Sequence, residues 1–185
     1  LLMWPCWFAL ATIPQDQIKL ILWYVYFIIG AFLMRSAGCI INDLVDINLD
    51  KKIQRTAERP LTSKKISVFE AGLLLFVLLF LSLIILLQFK ISTILIGLAS
   101  IPLVVIYPFM KRYTYWPQLV LGLVFSWGVL MVSFEFYSEI RLNLLLLYFA
   151  CVVWTLAYDT IYAYQDREDD IKNNIKSTAV LFDMN

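Results

Sequence analysis

Two stretches of this chain carry carboxylates at spacings that matter chemically. In NDLVDINLD, Asn42, Asp46 and Asp50 fall at i, i+4 and i+8, so on a helix they line one face over about 12 Å of axis, with Asp43 offset beside them. In YDTIYAYQDREDD, Asp159, Asp166 and Asp170 fall at i, i+7 and i+11, which predicts a second one-sided stripe. Carboxylates so placed repel one another unless a cation sits between them. A hard divalent ion meets that need: Mg²⁺ takes one or two carboxylates, waters and substrate phosphate oxygens, and the amide oxygen of Asn42 also serves. Cationic side chains stand close by in sequence. Lys111 and Arg112 follow YPF, and Arg55, Arg59 and Lys64 flank RPL. Metal together with Lys and Arg facing one cavity is what a diphosphate requires. The plainer reading makes these acids the solvated ends of membrane helices, paired with nearby bases. Two separate stripes on the same side of a membrane argue against it, because ionisable groups so near hydrocarbon are costly.

Arg35, in FLMRSAGCIIND, lies seven residues before Asn42, about two turns deeper on nearly the same face. Snorkelling explains some such arginines, but depth and direction favour an anion held in a buried cavity, and a carboxylate suits the guanidinium fork. Tyr107, Tyr158 and Tyr162 adjoin the charged groups, while the other aromatic residues read as interfacial belt or packing.

The elements that must position these groups are transmembrane helices. The sequence is 62% hydrophobic, more than a soluble domain of 185 residues hides in one core. Fifteen basic residues against fourteen acidic ones give a net charge of +1, so no basic field exists to attract nucleic acid. Histidine is absent, which removes the commonest general base and the usual zinc ligand. Cys6, Cys39 and Cys151 form neither a C-x-x-C pair nor a disulfide framework and are expected to be inert packing residues. No Gly-rich phosphate loop, G-x-S-x-G elbow or H-E-x-x-H occurs.

Spans of about twenty apolar residues are predicted at 1–13 (the remainder of a longer first span), 18–41, 66–88, 91–110, 117–137 and 143–165, an all-α polytopic bundle of about six helices. Short links at 14–17, 88–90 and 137–143 lie on one side, and richer loops at 42–65 and 108–117, with the tail after 165, on the other. The second side carries most of the bases, and the first only Lys19, Lys90 and Arg141. The positive-inside rule makes the second side cytoplasmic.

With these residues in view, NDLVDINLD, RTAERPL, YPFMKR, YDTIYAYQDREDD and the following IKSTA together resemble the UbiA-type intramembrane prenyltransferases, in order along the whole chain. Within that family they are most similar to members that prenylate 4-hydroxybenzoate in ubiquinone synthesis. The resemblance implies a nine-helix bundle around a central cavity, of which residues 1–185 are one membrane-embedded domain truncated at both ends. It implies that Asn42, Asp46 and Asp50, and Asp166 and Asp170, bind Mg²⁺ and through it a polyprenyl diphosphate, with Asp159 also catalytic. Tyr107 and Lys111 match a Y-x-x-x-K motif near the diphosphate, and Arg35 the arginine that holds the aromatic acid. Arg59, Arg112, Tyr162 and Lys176 complete the expected substrate contacts. Where many relatives have Gly before IKS, this chain has Asn174. The expected setting is a bacterial inner membrane with the site facing the cytoplasm. Other acceptors of the family (homogentisate, dihydroxynaphthoate, haem) and a non-enzymatic cation transporter are the alternatives. A transporter would place its acids near the bilayer midplane and has no use for the cationic companions.

Overall fold

The computed structural model describes residues 3–15, 17–53 and 55–183; Asp16 of the first predicted link and the Lys19 side chain lie outside the described residues. Every regular element described is helical: α1 (Met3–Ala11), α2 (Gln17–Asp50), α3 (Val68–Leu86), α4 (Ile91–Ala99), α5 (Ile101–Tyr113), α6 (Pro117–Tyr137), α7 (Leu142–Ala163), a 3₁₀ turn (Tyr164–Asp166), α8 (Arg167–Lys172) and α9 (Thr178–Asp183). Among the described residues, five stretches are long and apolar enough to cross a bilayer: Leu20–Asp50, Val68–Leu86, Ile91–Tyr113, Pro117–Tyr137 and Leu142–Lys172. The predicted segment 1–13, the remainder of a longer span, holds α1, whose nine residues rise about 14 Å against a hydrocarbon core of about 30 Å.

Two helices outrun the predicted spans, and both overruns build the site. α2 has 34 residues and is about 51 Å long, so its last turns project beyond the hydrocarbon and carry Asn42 to Asp50 clear of it as helix rather than as loop. The fourth span continues to Tyr113 and breaks at Ser100. Pro102 supplies no N–H there, and the Ser100 N–H and hydroxyl both turn back to the Gly97 carbonyl, at 3.1 and 2.7 Å. α3 starts in a capping box in which the Ser67 hydroxyl accepts from the Glu70 N–H (3.2 Å) and Glu70 accepts from the Ser67 N–H (2.7 Å). It packs along α2 and is otherwise exposed.

The core gathers around α6, which touches α1, α4, α5 and α7. Val129 and Val132 of α6 are fully buried with Leu10, Leu20 and Leu144, and Trp23, Phe89 and Phe136 close the far end of the bundle. Without a hydrophobic driving force between helices in lipid, close approach depends on small residues. Gly122 of α6 meets the backbone of Val152 on α7, and Gly128 meets Cys6 on α1. Cys6 is therefore packing, as expected, whereas Cys39 is exposed. Glu135 anchors the end of the bundle where α4 begins. Buried on α6, its carboxylate accepts from the Lys90 N–H (3.0 Å) and the Thr93 hydroxyl (2.8 Å) at the start of α4.

Candidate active site

The opposite end of the bundle gathers the charges. The last turns of α2, the loop 51–67, the end of α5 and the segment from Tyr164 to Ser177 meet there. Asp46 is fully buried, and both Lys111 Nζ and Arg112 Nη2 reach its carboxylate, the latter at 3.5 Å. Arg112 also donates to the Val45 carbonyl at 3.0 Å. One turn on, Asp50 is buried against Arg59 Nη1 at 3.0 Å, and the same nitrogen donates to Asp43 at 2.7 Å. The loop can supply Arg59 because it folds back on the helix, with the Thr56 hydroxyl donating to the Asp50 carbonyl at 3.1 Å. Burying any of these carboxylates alone would be prohibitive; each is tolerable because a guanidinium or ammonium meets it.

The second acidic stretch is arranged differently from its spacing. α7 ends at Ala163 and a 3₁₀ turn intervenes before α8, so Asp159, Asp166 and Asp170 do not share one face of one helix. Asp166 receives Arg55 through a forked contact, with Arg55 Nε at 2.9 and 3.1 Å from its two oxygens. That bond ties the loop after the first motif to the second motif and holds the Arg55 guanidinium above its ordinary range. The exposed ring of Tyr162 lies 5.8 Å beneath Arg55. Asp170 is buried, within reach of the Ser177 hydroxyl. Asp159 stands apart, within electrostatic reach of Arg35, as are Tyr107 and Tyr158.

Lys176 is a clasp in this arrangement. Its N–H donates to the Lys111 carbonyl (2.8 Å) and its ammonium to the Tyr113 carbonyl (3.1 Å), satisfying the end of α5. Two residues before it, Asn174 adopts φ 54°, the left-handed backbone that Gly favours and Asn tolerates.

The structure brings Asp46, Lys111 and Arg112 together, as sequence spacing expected of the two charged clusters, but sets Asp159 and Tyr107 nearer Arg35 than spacing implied, since it had placed Asp159 in the second stripe and Tyr107 with Lys111. Sequence spacing missed Asp43 as a partner of Arg59, the Arg55–Asp166 bridge across 111 positions, and Phe125, whose ring centroid lies 5.2 Å from the Arg35 guanidinium carbon. Among the described residues, no three acidic, Cys or His side chains converge as a ready metal cage. The donors instead come in small sets, Asn42 with Asp46 and Asp50, and Asp166 with Asp170. Such sets suit Mg²⁺, which binds through one or two carboxylates and completes its shell with water and phosphate oxygens.

The sequence model of the UbiA prenyltransferase family matches residues 2–185. Among curated relatives, a 4-hydroxybenzoate octaprenyltransferase of Pseudomonas aeruginosa (strain LESB58) is 45% identical over 180 residues, covering 97% of this chain and 59% of the relative. One of Haemophilus ducreyi is 41% identical over 180 residues, covering 97% and 63%. A mitochondrial 4-hydroxybenzoate polyprenyltransferase of Drosophila pseudoobscura pseudoobscura is 46% identical over 191 residues, covering 100% and 47%. The chain therefore spans between 47% and 63% of the length of these three relatives. In three dimensions it is similar to the apo structure of a UbiA homolog from Aeropyrum pernix K1, with a TM-score of 0.79 at 23% identity, covering 97% of this chain and 67% of the other.

Proposed function

The chain belongs to the UbiA prenyltransferase family, and on that premise we propose that it forms the part of a prenyltransferase that binds a polyprenyl diphosphate and 4-hydroxybenzoate and joins them in ubiquinone synthesis. The observation that carries this reading is the convergence of Lys111 and Arg112 on buried Asp46, with Asn42 and Asp50 one turn to either side. A diphosphate needs bases and metal-ligating acids in one place, and this end of the bundle has both. Asn42, Asp46 and Asp50 would hold one Mg²⁺, and Asp166 with Asp170 a second. Bound Mg²⁺ neutralises charge on the departing diphosphate.

The chain's own residues do the rest. Lys111, Arg112, Arg55 and Arg59 supply cationic donors for the diphosphate oxygens as the allylic C–O bond breaks. Arg35 grips the carboxylate of 4-hydroxybenzoate and points the ring carbon ortho to its hydroxyl toward the allylic carbon. The new C–C bond forms there, and Asp159, within electrostatic reach of Arg35, accepts the ring proton. Apolar helices exclude water that would trap the cation, and the prenyl tail lies along them in lipid. The protein sits in a bacterial inner membrane with this end in the cytoplasm, where the bases concentrate.

An acceptor panel tests the assignment. Membranes carrying the protein, given polyprenyl diphosphate and Mg²⁺, are offered 4-hydroxybenzoate, homogentisate and dihydroxynaphthoate in parallel. Prenylated 4-hydroxybenzoate as the main product is expected. Preference for either other acceptor overturns the assignment.

A further inference from the structure

Arg35 is exposed on α2 and has a long, rotamer-rich side chain, with Asp159 an opposite charge within electrostatic reach. An arginine so placed has two resting places: folded onto that carboxylate, or held away from it. One group favours the second. Phe125, half-buried on α6, sets its ring centroid 5.2 Å from the Arg35 guanidinium carbon. Guanidinium stacks on aromatic faces, and the attraction grows where water is scarce. We propose that Phe125 is a positioning residue that sets acceptor specificity: its ring is a shelf that holds the Arg35 guanidinium open toward the acceptor carboxylate and away from Asp159. The inference rests on Arg35 being the acceptor's carboxylate anchor. Without the ring, Arg35 closes onto Asp159, weakening carboxylate binding and occupying the group placed to take the ring proton. Phe125 belongs to none of the acidic or basic motifs; its ring reaches Arg35 from α6.

The test compares Phe125→Leu, Phe125→Tyr and Arg35→Ala with the parent protein in membranes. The readouts are the KM values of acceptor and donor, and the inhibition constant of 4-hydroxybenzamide, a neutral analogue of the acceptor. Phe125→Leu is expected to raise the acceptor KM about five- to thirtyfold. The donor KM and the binding of the neutral amide stay within about twofold, and Phe125→Tyr stays near the parent because the ring remains. If Phe125→Leu shifts donor, acceptor and amide alike, or shifts none of them, the shelf is refuted. If Arg35→Ala leaves the acceptor KM unchanged, the underlying anchor reading fails instead. Should Phe125→Leu fail to accumulate, Phe125→Met carries the same comparison with closer volume.

Discussion

Substituting Gly122 with alanine perturbs the helix pair on which the acceptor side of the site depends. A Cβ at Gly122 would stand 2.9 Å from the Val152 carbonyl oxygen, 3.3 Å from its Cα and 3.2 Å from its Cγ1. Two of the three atoms are backbone and cannot swing aside. Ordinary contact lies at about 3.5–4.0 Å, so α6 and α7 must part by about 0.5–1 Å. Overpacking of this kind costs about 1–3 kcal/mol. For a chain of this size each kcal/mol lowers Tm by about 2–4 °C, so a fall of about 2–12 °C is expected in detergent-solubilised protein. Activity suffers separately, because Phe125 lies one turn from Gly122 and Asp159 two turns from Val152. A misplacement of about 1 Å costs up to about 100-fold in rate. The control is Gly72→Ala in α3, where a new Cβ meets nothing within 4 Å. It should stabilise the helix by about 0.5–1 kcal/mol. If Gly122→Ala melts no lower than the parent, the close approach of α6 and α7 is refuted.

Two further outcomes follow from the ion pairs and the buried acid. Glu135→Ala leaves the Lys90 N–H and the Thr93 hydroxyl without their acceptor, lowering unfolding stability by about 1–3 kcal/mol while activity per folded molecule is kept, since Glu135 lies at the far end from the charged site. A double-mutant cycle on Asp46→Asn and Lys111→Met should show coupling of about 0.5–3 kcal/mol in stability; strict additivity would mean that the buried pair does not form.

How much of this could be read before folding depends on the range of each interaction. The stripe Asn42, Asp46, Asp50 was readable because α2 is one uninterrupted helix, so position along the chain maps directly to angle around the axis. The same mapping failed for Asp159, Asp166 and Asp170, where the turn at Tyr164–Asp166 resets the angle. Hydropathy windows ended α2 and α5 too early, because polar residues at a helix end lower the average without breaking the backbone hydrogen bonds. The Ser67–Glu70 capping box, by contrast, was written in the local pattern S-x-x-E and lay within reach of sequence reading. The bonds of Lys176 to the carbonyls at the end of α5 join segments more than sixty positions apart, which residue type alone does not reveal. Arg55 with Asp166 and Arg35 with Phe125 are contacts between distant segments, fixed by helix packing that no periodicity encodes.

The proposed function requires the acids and bases at one end of the bundle to act together on a diphosphate. Product formation tests that most directly: membranes carrying the parent, Asp46→Ala or Asp166→Ala receive polyprenyl diphosphate, 4-hydroxybenzoate and Mg²⁺, and prenylated acid is measured by mass spectrometry against the amount of folded protein. The parent should make product that disappears on chelation and returns with Mg²⁺, and each variant should lose at least about 100-fold, the scale of removing one transition-state contact. Product at the parent rate from either variant would contradict the account.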